Sequence, residues 1–153
     1  MLARRGSNGP DWMYHSHYPL GKPDDSVDEL VPCEIASDFS EAIRCKWMRA
    51  YRATVLMCRR SLQVSCDLEK AQGKDLFKQI DDLASKGRIT ATLQKMAHRI
   101  RLLGKLGAHG DYLDIDETIT QKDAADAVTF MKHYLEHVYI LPGKLDEGDS
   151  PSS

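Results

Sequence analysis

The chain lacks any apolar run approaching the roughly 18–20 residues of a membrane span, so no transmembrane segment is expected. It also lacks an apolar core behind the two arginines of its opening stretch, MLARRGSNGPDW, so no secretory signal is expected and a cytoplasmic location is. None of its four cysteines (Cys33, Cys45, Cys58 and Cys66) forms a C-x-x-C pair, and the usual structural-zinc spacing is absent. Reduced thiols are therefore expected, with no metal and no cofactor. Alternation of apolar and polar residues, the mark of a half-buried strand, nowhere reaches a useful length. Composition fits no collagen, coiled-coil or low-complexity class.

The chain does have an ordinary globular composition: 153 residues, 42% apolar and 29% charged. That length suits about one domain, and a chain of this size buries roughly two-thirds of its unfolded surface without needing staples. The net charge of -2 conceals segregation. Ala42 to Cys66 carries six basic residues and no acid, and so does Lys86 to His109. Asp24 to Glu41 carries seven acids and no Lys or Arg, while Gly110 to Ser153 has ten acids against three lysines. Two readings stay open. The basic and acidic segments pair across the fold, or the basic ones form an anion or nucleic-acid surface.

Glycine and proline punctuate residues 1–36, and no periodicity survives there, so an irregular segment is expected. It contains a cluster of Trp12, Tyr14, His15, His17 and Tyr18 that could dock on the domain or on a partner. A helical domain is expected over 37–145, and an acidic, Ser/Pro-rich, disordered tail over 146–153. Phe39 to about Lys70 contains no Gly or Pro, and its apolar positions step by three or four. This predicts one long helix, with Asp38 and Glu41 as a capping box at its start. A shorter helix follows over about Lys74 to Lys86, with Gly87 as its stop. The next begins at Thr90 or Thr92 with the stripe Leu93, Met96, Ala97, Ile100 and Leu103. After a loop, Thr120 and Asp123 cap a last helix that Pro142 ends. The expected fold is all-α: an antiparallel bundle of four main helices.

The segment AHRIRLLGKLGAHGD concentrates the candidate site residues. At about 100° per residue, Lys105, His98 and His109 lie roughly 40°, 60° and 80° from Arg101, so the four basic groups share a stripe. Gly104 and Gly107 each weaken a helix by about 1 kcal/mol relative to alanine, which asks for a reason. Close packing of another helix is one; a bound phosphate or a deliberate helix end is another. His109 could satisfy helix-end carbonyls or pair with Asp111, Asp114 or Asp116. Alternatively it is a general acid–base, with an arginine steadying a phosphate during metal-independent RNA cleavage.

Four blocks, in order, resemble domain-of-unknown-function family 4145 over roughly Phe39 to Leu145. They are FSEAIRCKWMRAYRATVLMCRRSLQ, GKDLFKQIDDLASKGRIT, IRLLGKLGAH and DAADAVTFMKHYLEHVYILPGKL. That family is an accessory helical domain, found alone and at the ends of bacterial restriction and defence proteins. It looks like a divergent branch of the HEPN superfamily of four-to-five-helix bundles. Active HEPN ribonucleases carry an arginine, a polar residue, three variable residues and a histidine, and most work as dimers. Here the arginine position is Gly104, the polar position Lys105 and the histidine His109. The family usually shows Gly-Asn where this chain has Gly104-Lys105. The pair Arg59-Arg60 also resembles the family, which usually follows it with Leu-Glu where this chain has Leu62-Gln63.

The resemblance implies a non-catalytic interaction module, self-associating as a homodimer, with a protein partner from a defence or restriction system. Any nucleic-acid contact would be weak, and no membrane is involved. Its binding residues would be drawn from Arg59, Arg60, His98, Arg101, Gly104, Lys105, Gly107 and His109. The alternatives are a HEPN-like ribonuclease that uses Arg101 and His109, and a sensor of a nucleotide or small ligand. In the ribonuclease, Arg101 would have to reach about 6 Å along the helix axis to replace the missing arginine.

Overall fold

A computed structural model describes residues 23–108 and 118–149. The aromatic and histidine cluster at Trp12–Tyr18, His109, the acids at Asp111–Glu117 and the last four residues of the tail lie outside the described residues. Everything regular within them is helical, with no strand among the described residues. The elements are α1 (Cys33–Trp47), α2 (Tyr51–Leu68), α3 (Leu76–Ser85), α4 (Ala91–Ala108), α5 (Gln121–Leu135), a π-helical turn (Glu136–Ile140) and α6 (Leu141–Gly148). The last three run on without a break, so the described chain makes five helical rods rather than the four expected.

The extra rod comes from a break in the segment read as one long helix. The chain turns at Met48–Ala50, with Arg49 in the left-handed region at φ 61°. The Ala50 N–H bonds the Cys45 carbonyl at 2.9 Å and the Arg49 N–H bonds that of Lys46 at 3.0 Å. These are the two bonds of a Schellman helix stop, a motif that glycine normally signals. The same geometry ends α2, where Lys70 has φ 56°, its N–H bonds Asp67 and that of Ala71 bonds Cys66. It also ends α3 at Gly87, with φ 69°, where a glycine does mark it. Left-handed backbone costs an L-residue about 1–2 kcal/mol, so stops at Arg49 and Lys70 are held by the packing on either side.

The first helix starts at Cys33, ahead of the start expected near Ser37 or Asp38, and Ile35 in its first turn is fully buried. Its N-cap is Pro32, without a side-chain cap. Asp38 therefore does not cap; its carboxylate accepts from Arg60 Nε at 3.0 Å. Residues 23–32 are irregular as expected but pack closely. Val31 is buried, Ser40 donates to the Asp25 carbonyl, and Arg44 pairs with the Asp25 carboxylate at 2.6 Å. A Cβ on Gly143 would stand 2.9 Å from Leu30 Cδ2, so this strap lies directly on α6.

Pro142 does not end the last helix. In a regular α-helix its ring would strike the carbonyl four residues back. Ahead of it the helix widens into the π turn over Glu136–Ile140, closed by Leu141 N–H to the Glu136 carbonyl. The proline then sits in the first turn of α6, and the helix runs on through it. The expected caps elsewhere hold. Thr90 Oγ1 accepts from Leu93 N–H, and Thr120 and Asp123 form a reciprocal capping box.

The core centres on α2, which packs against α1, α3, α4 and α5. Its Val55, Cys58, Leu62 and Cys66 are fully buried, facing Phe39 and Ala42 of α1, Ala97 and Ile100 of α4, and Ala127, Met131 and Tyr134 of α5. Its buried polar groups are satisfied locally. Thr54 and Ser61 donate to carbonyls one turn back, and Ser65 Oγ lies 2.8 Å from both the Tyr134 and Tyr139 hydroxyls. All four cysteines are free thiols, and burial pushes those of Cys58 and Cys66 up to about 12. Among the described residues no helix is long and apolar enough to cross a membrane, and no group of three or more His, Cys, Asp or Glu could hold a metal.

Candidate functional site

The candidate residues gather where α4 packs between α2 and α3. Gly104 is buried, and the stem of Arg59 from α2 lies across it. A Cβ at Gly104 would stand 2.9 Å from Arg59 Cβ and 3.0 Å from Arg59 Cγ, with Cδ nearer still. The glycine is thus explained by close helix packing, and its surface is used up within the chain rather than offered to a second copy.

One turn earlier on α4, Arg101 is half-buried and sets its guanidinium over the Phe77 ring of α3, 5.2 Å from the centroid. The His98 ring lies 4.7 Å from the same ring, tilted by 37°. His98 Nε2 is 2.8 Å from Asp81 Oδ1, which also accepts from Gln94 Nε2 at 2.8 Å. The Gln94 and His98 hydrogen bonds, in that order, hold the Asp81 carboxyl below its ordinary range. An ionised carboxylate only accepts, so His98 Nε2 is the donor of this bond.

The structure brings together His98, Arg101, Gly104 and Arg59 from the expected set. Lys105 is exposed near the end of α4, and Gly107 lies in that helix's last turn. His109 lies outside the described residues, so its distance from Arg101 is not defined. Arg60 faces away from this seam and is paired with Asp38. Phe77, Asp81 and Gln94 were not anticipated. Phe77 left one signal in the sequence: it stands beside the buried stripe Leu76, Ile80 and Leu83 rather than on it, and it is 45% exposed.

The pairing reading of the charge pattern describes part of the surface. Arg44, Arg60, Lys86, Arg88 and Arg99 pair with Asp25, Asp38, Asp82, Glu69 and the Asp123/Asp126 carboxylates. Such exposed pairs contribute about 0–1 kcal/mol each. Arg59, Arg101 and Lys105 have no carboxylate within ion-pair distance among the described residues. Among the described residues, the buried Nε atoms of Arg59 and Arg101 have no hydrogen-bond partner.

An all-helical domain with a cationic, aromatic-lined seam is the class these features define. Residues 40–149, well over half of the chain, match the family described as "Domain of unknown function (DUF4145)", and the chain belongs to that family. No curated protein and no solved structure matches it.

Proposed function

We propose that the protein is a non-catalytic helical interaction module. In this reading its bundle is HEPN-like, and it self-associates as a homodimer in a bacterial, cytoplasmic setting linked to defence or restriction systems. The observation that carries the non-catalytic reading is the packing at Gly104. The arginine position of the ribonuclease motif has no room for a side chain, because Arg59 occupies the space. Arg101, the alternative source of charge, already spends its guanidinium face on Phe77. Phe77 and Leu102, 45% and 51% exposed, supply apolar surface for a partner.

The test has two readouts. Light scattering across micromolar to high-micromolar protein is expected to give a mass of about 35 kDa, twice the 17.3 kDa chain. A constant monomer mass would refute self-association. Single-stranded RNA incubated with the protein in chelator is expected to stay intact. Cleavage lost in both Arg101→Ala and His109→Ala would replace this reading with the ribonuclease.

A further inference from the structure

Two faces of α6 fit two different helical registers. With Met131 at 0° and about 100° per residue, the buried residues of α5 and Val138 beyond them fall between roughly −100° and 60°. Continued without a break, this register puts Leu141 at about −80° and Leu145 at about −40°, inside the buried stripe, and Gly143 at about 120°, outside it. The structure has the reverse. Leu141 and Leu145 are 49% and 70% exposed, and Gly143 faces inward, with no room for a Cβ beside Leu30.

The π turn accounts for the reversal. Its bond from Leu141 N–H to the Glu136 carbonyl takes in one residue more than an α turn. All that follows is turned back by one residue step, about 100°. Leu141 and Leu145 then lie at roughly 180° and −140°, and Gly143 at roughly 20°, in agreement with their surroundings. Tyr139, inside the turn, is carried inward, and its hydroxyl meets Ser65 Oγ at 2.8 Å.

A π turn is rare, and this one leaves two leucines in water, so other contacts must hold it. The Tyr139–Ser65 hydrogen bond ties the turn to α2, and Gly143 seats against Leu30 of the strap. Pro142 opposes the unbroken register, in which its ring meets the Val138 carbonyl. Among the helical elements α6 packs against the π turn alone, so no other helix fixes its rotation.

We infer that the π turn is a register switch. Through it α6 turns about its own axis by about 100° between two forms. The π form of this structure presents Leu141 and Leu145 outward. In an all-α form they extend the buried stripe and crowd the strap at Leu30. The change costs no hydrogen bond at Leu141, whose N–H leaves the Glu136 carbonyl for that of His137. The switch requires neither self-association nor the lack of catalysis, so its failure leaves the proposed function standing, and the reverse.

The experiment is solution NMR of the full chain beside Tyr139→Phe/Pro142→Ala, which removes the hydroxyl and the ring that oppose the all-α form. Coupling through the hydrogen bond reads the acceptor of Leu141 N–H, and broadening by a soluble paramagnetic agent reads the exposure of the Leu141 and Leu145 methyls. Wild type is expected to couple Leu141 to Glu136, with both leucines strongly broadened. The double variant is expected to couple Leu141 to His137, with broadening reduced about 2-fold or more once the all-α form holds half of the molecules. Deleting Ile140 together with Pro142→Ala takes out the extra residue, and is expected to give a regular helix with both leucines still outward. Thermal melts verify that each variant is folded, and Tyr139→Phe alone is read in the same way if the double variant is not. A folded variant that keeps Leu141 coupled to Glu136 with its leucines as exposed as in wild type, or protected leucines in the deletion variant, would overturn the switch.

Discussion

Gly104→Ala sets two calculable effects against each other. Replacing a helical glycine with alanine stabilises a free helix by about 1 kcal/mol. At Gly104 the new methyl would stand 2.9 Å from Arg59 Cβ, while ordinary contacts begin near 3.4 Å. The struck atoms include Cβ, which is fixed to the α2 backbone and is not the loose end of a flexible chain. The two helices must therefore part by several tenths of an ångström, or Arg59 must leave its rotamer. Overpacking of this kind costs about 1–3 kcal/mol, so the net effect is a loss of roughly 0–2 kcal/mol. Urea unfolding followed by circular dichroism reads it as a lower midpoint at unchanged slope. In an Arg59→Ala background Cγ and Cδ are gone, and the same substitution should cost about 1 kcal/mol less, a coupling that a double-mutant cycle isolates. A Gly104→Ala protein more stable than wild type, or strictly additive effects, would refute the packing account. It would also remove the ground for excluding an arginine at that position.

Arg49→Gly should stabilise the fold by about 0.5–1 kcal/mol, because relief of left-handed backbone exceeds the added freedom of the unfolded chain; a lower thermal midpoint would contradict it. Asp81→Asn tests linkage. Its carboxyl is depressed in the fold by Gln94 and His98, so its contribution is present above the unfolded pKa of about 4 and lost as pH falls through the lower folded value. Wild type should then lose more stability than Asp81→Asn between about pH 5 and pH 3, and parallel losses would show that the hydrogen bonds add nothing.

What could be read from the chain alone was whatever depends on local spacing. The apolar steps of three and four placed α3, α4 and α5, Thr90 and the Thr120–Asp123 pair placed two helix starts, and Gly87 placed one stop. These work from sequence because each signal and the structure it makes lie within a turn of one another. The blocks between Phe39 and Leu145 likewise pointed to the family that residues 40–149 match. The break at Arg49 had no local mark, since arginine prefers to continue a helix; it exists because α1 and α2 bury their apolar faces against each other only if the chain turns there. Pro142 had a local mark that misled, because the π turn over Glu136–Ile140 ahead of it lets the helix continue. The site divides in the same way. Arg101 and His98 were visible as neighbours on one helix, whereas their partners Phe77 and Asp81 come from α3 and the Arg59 stem comes from α2. Contacts between helices depend on which faces meet and at what distance, and that is decided only when the whole core packs.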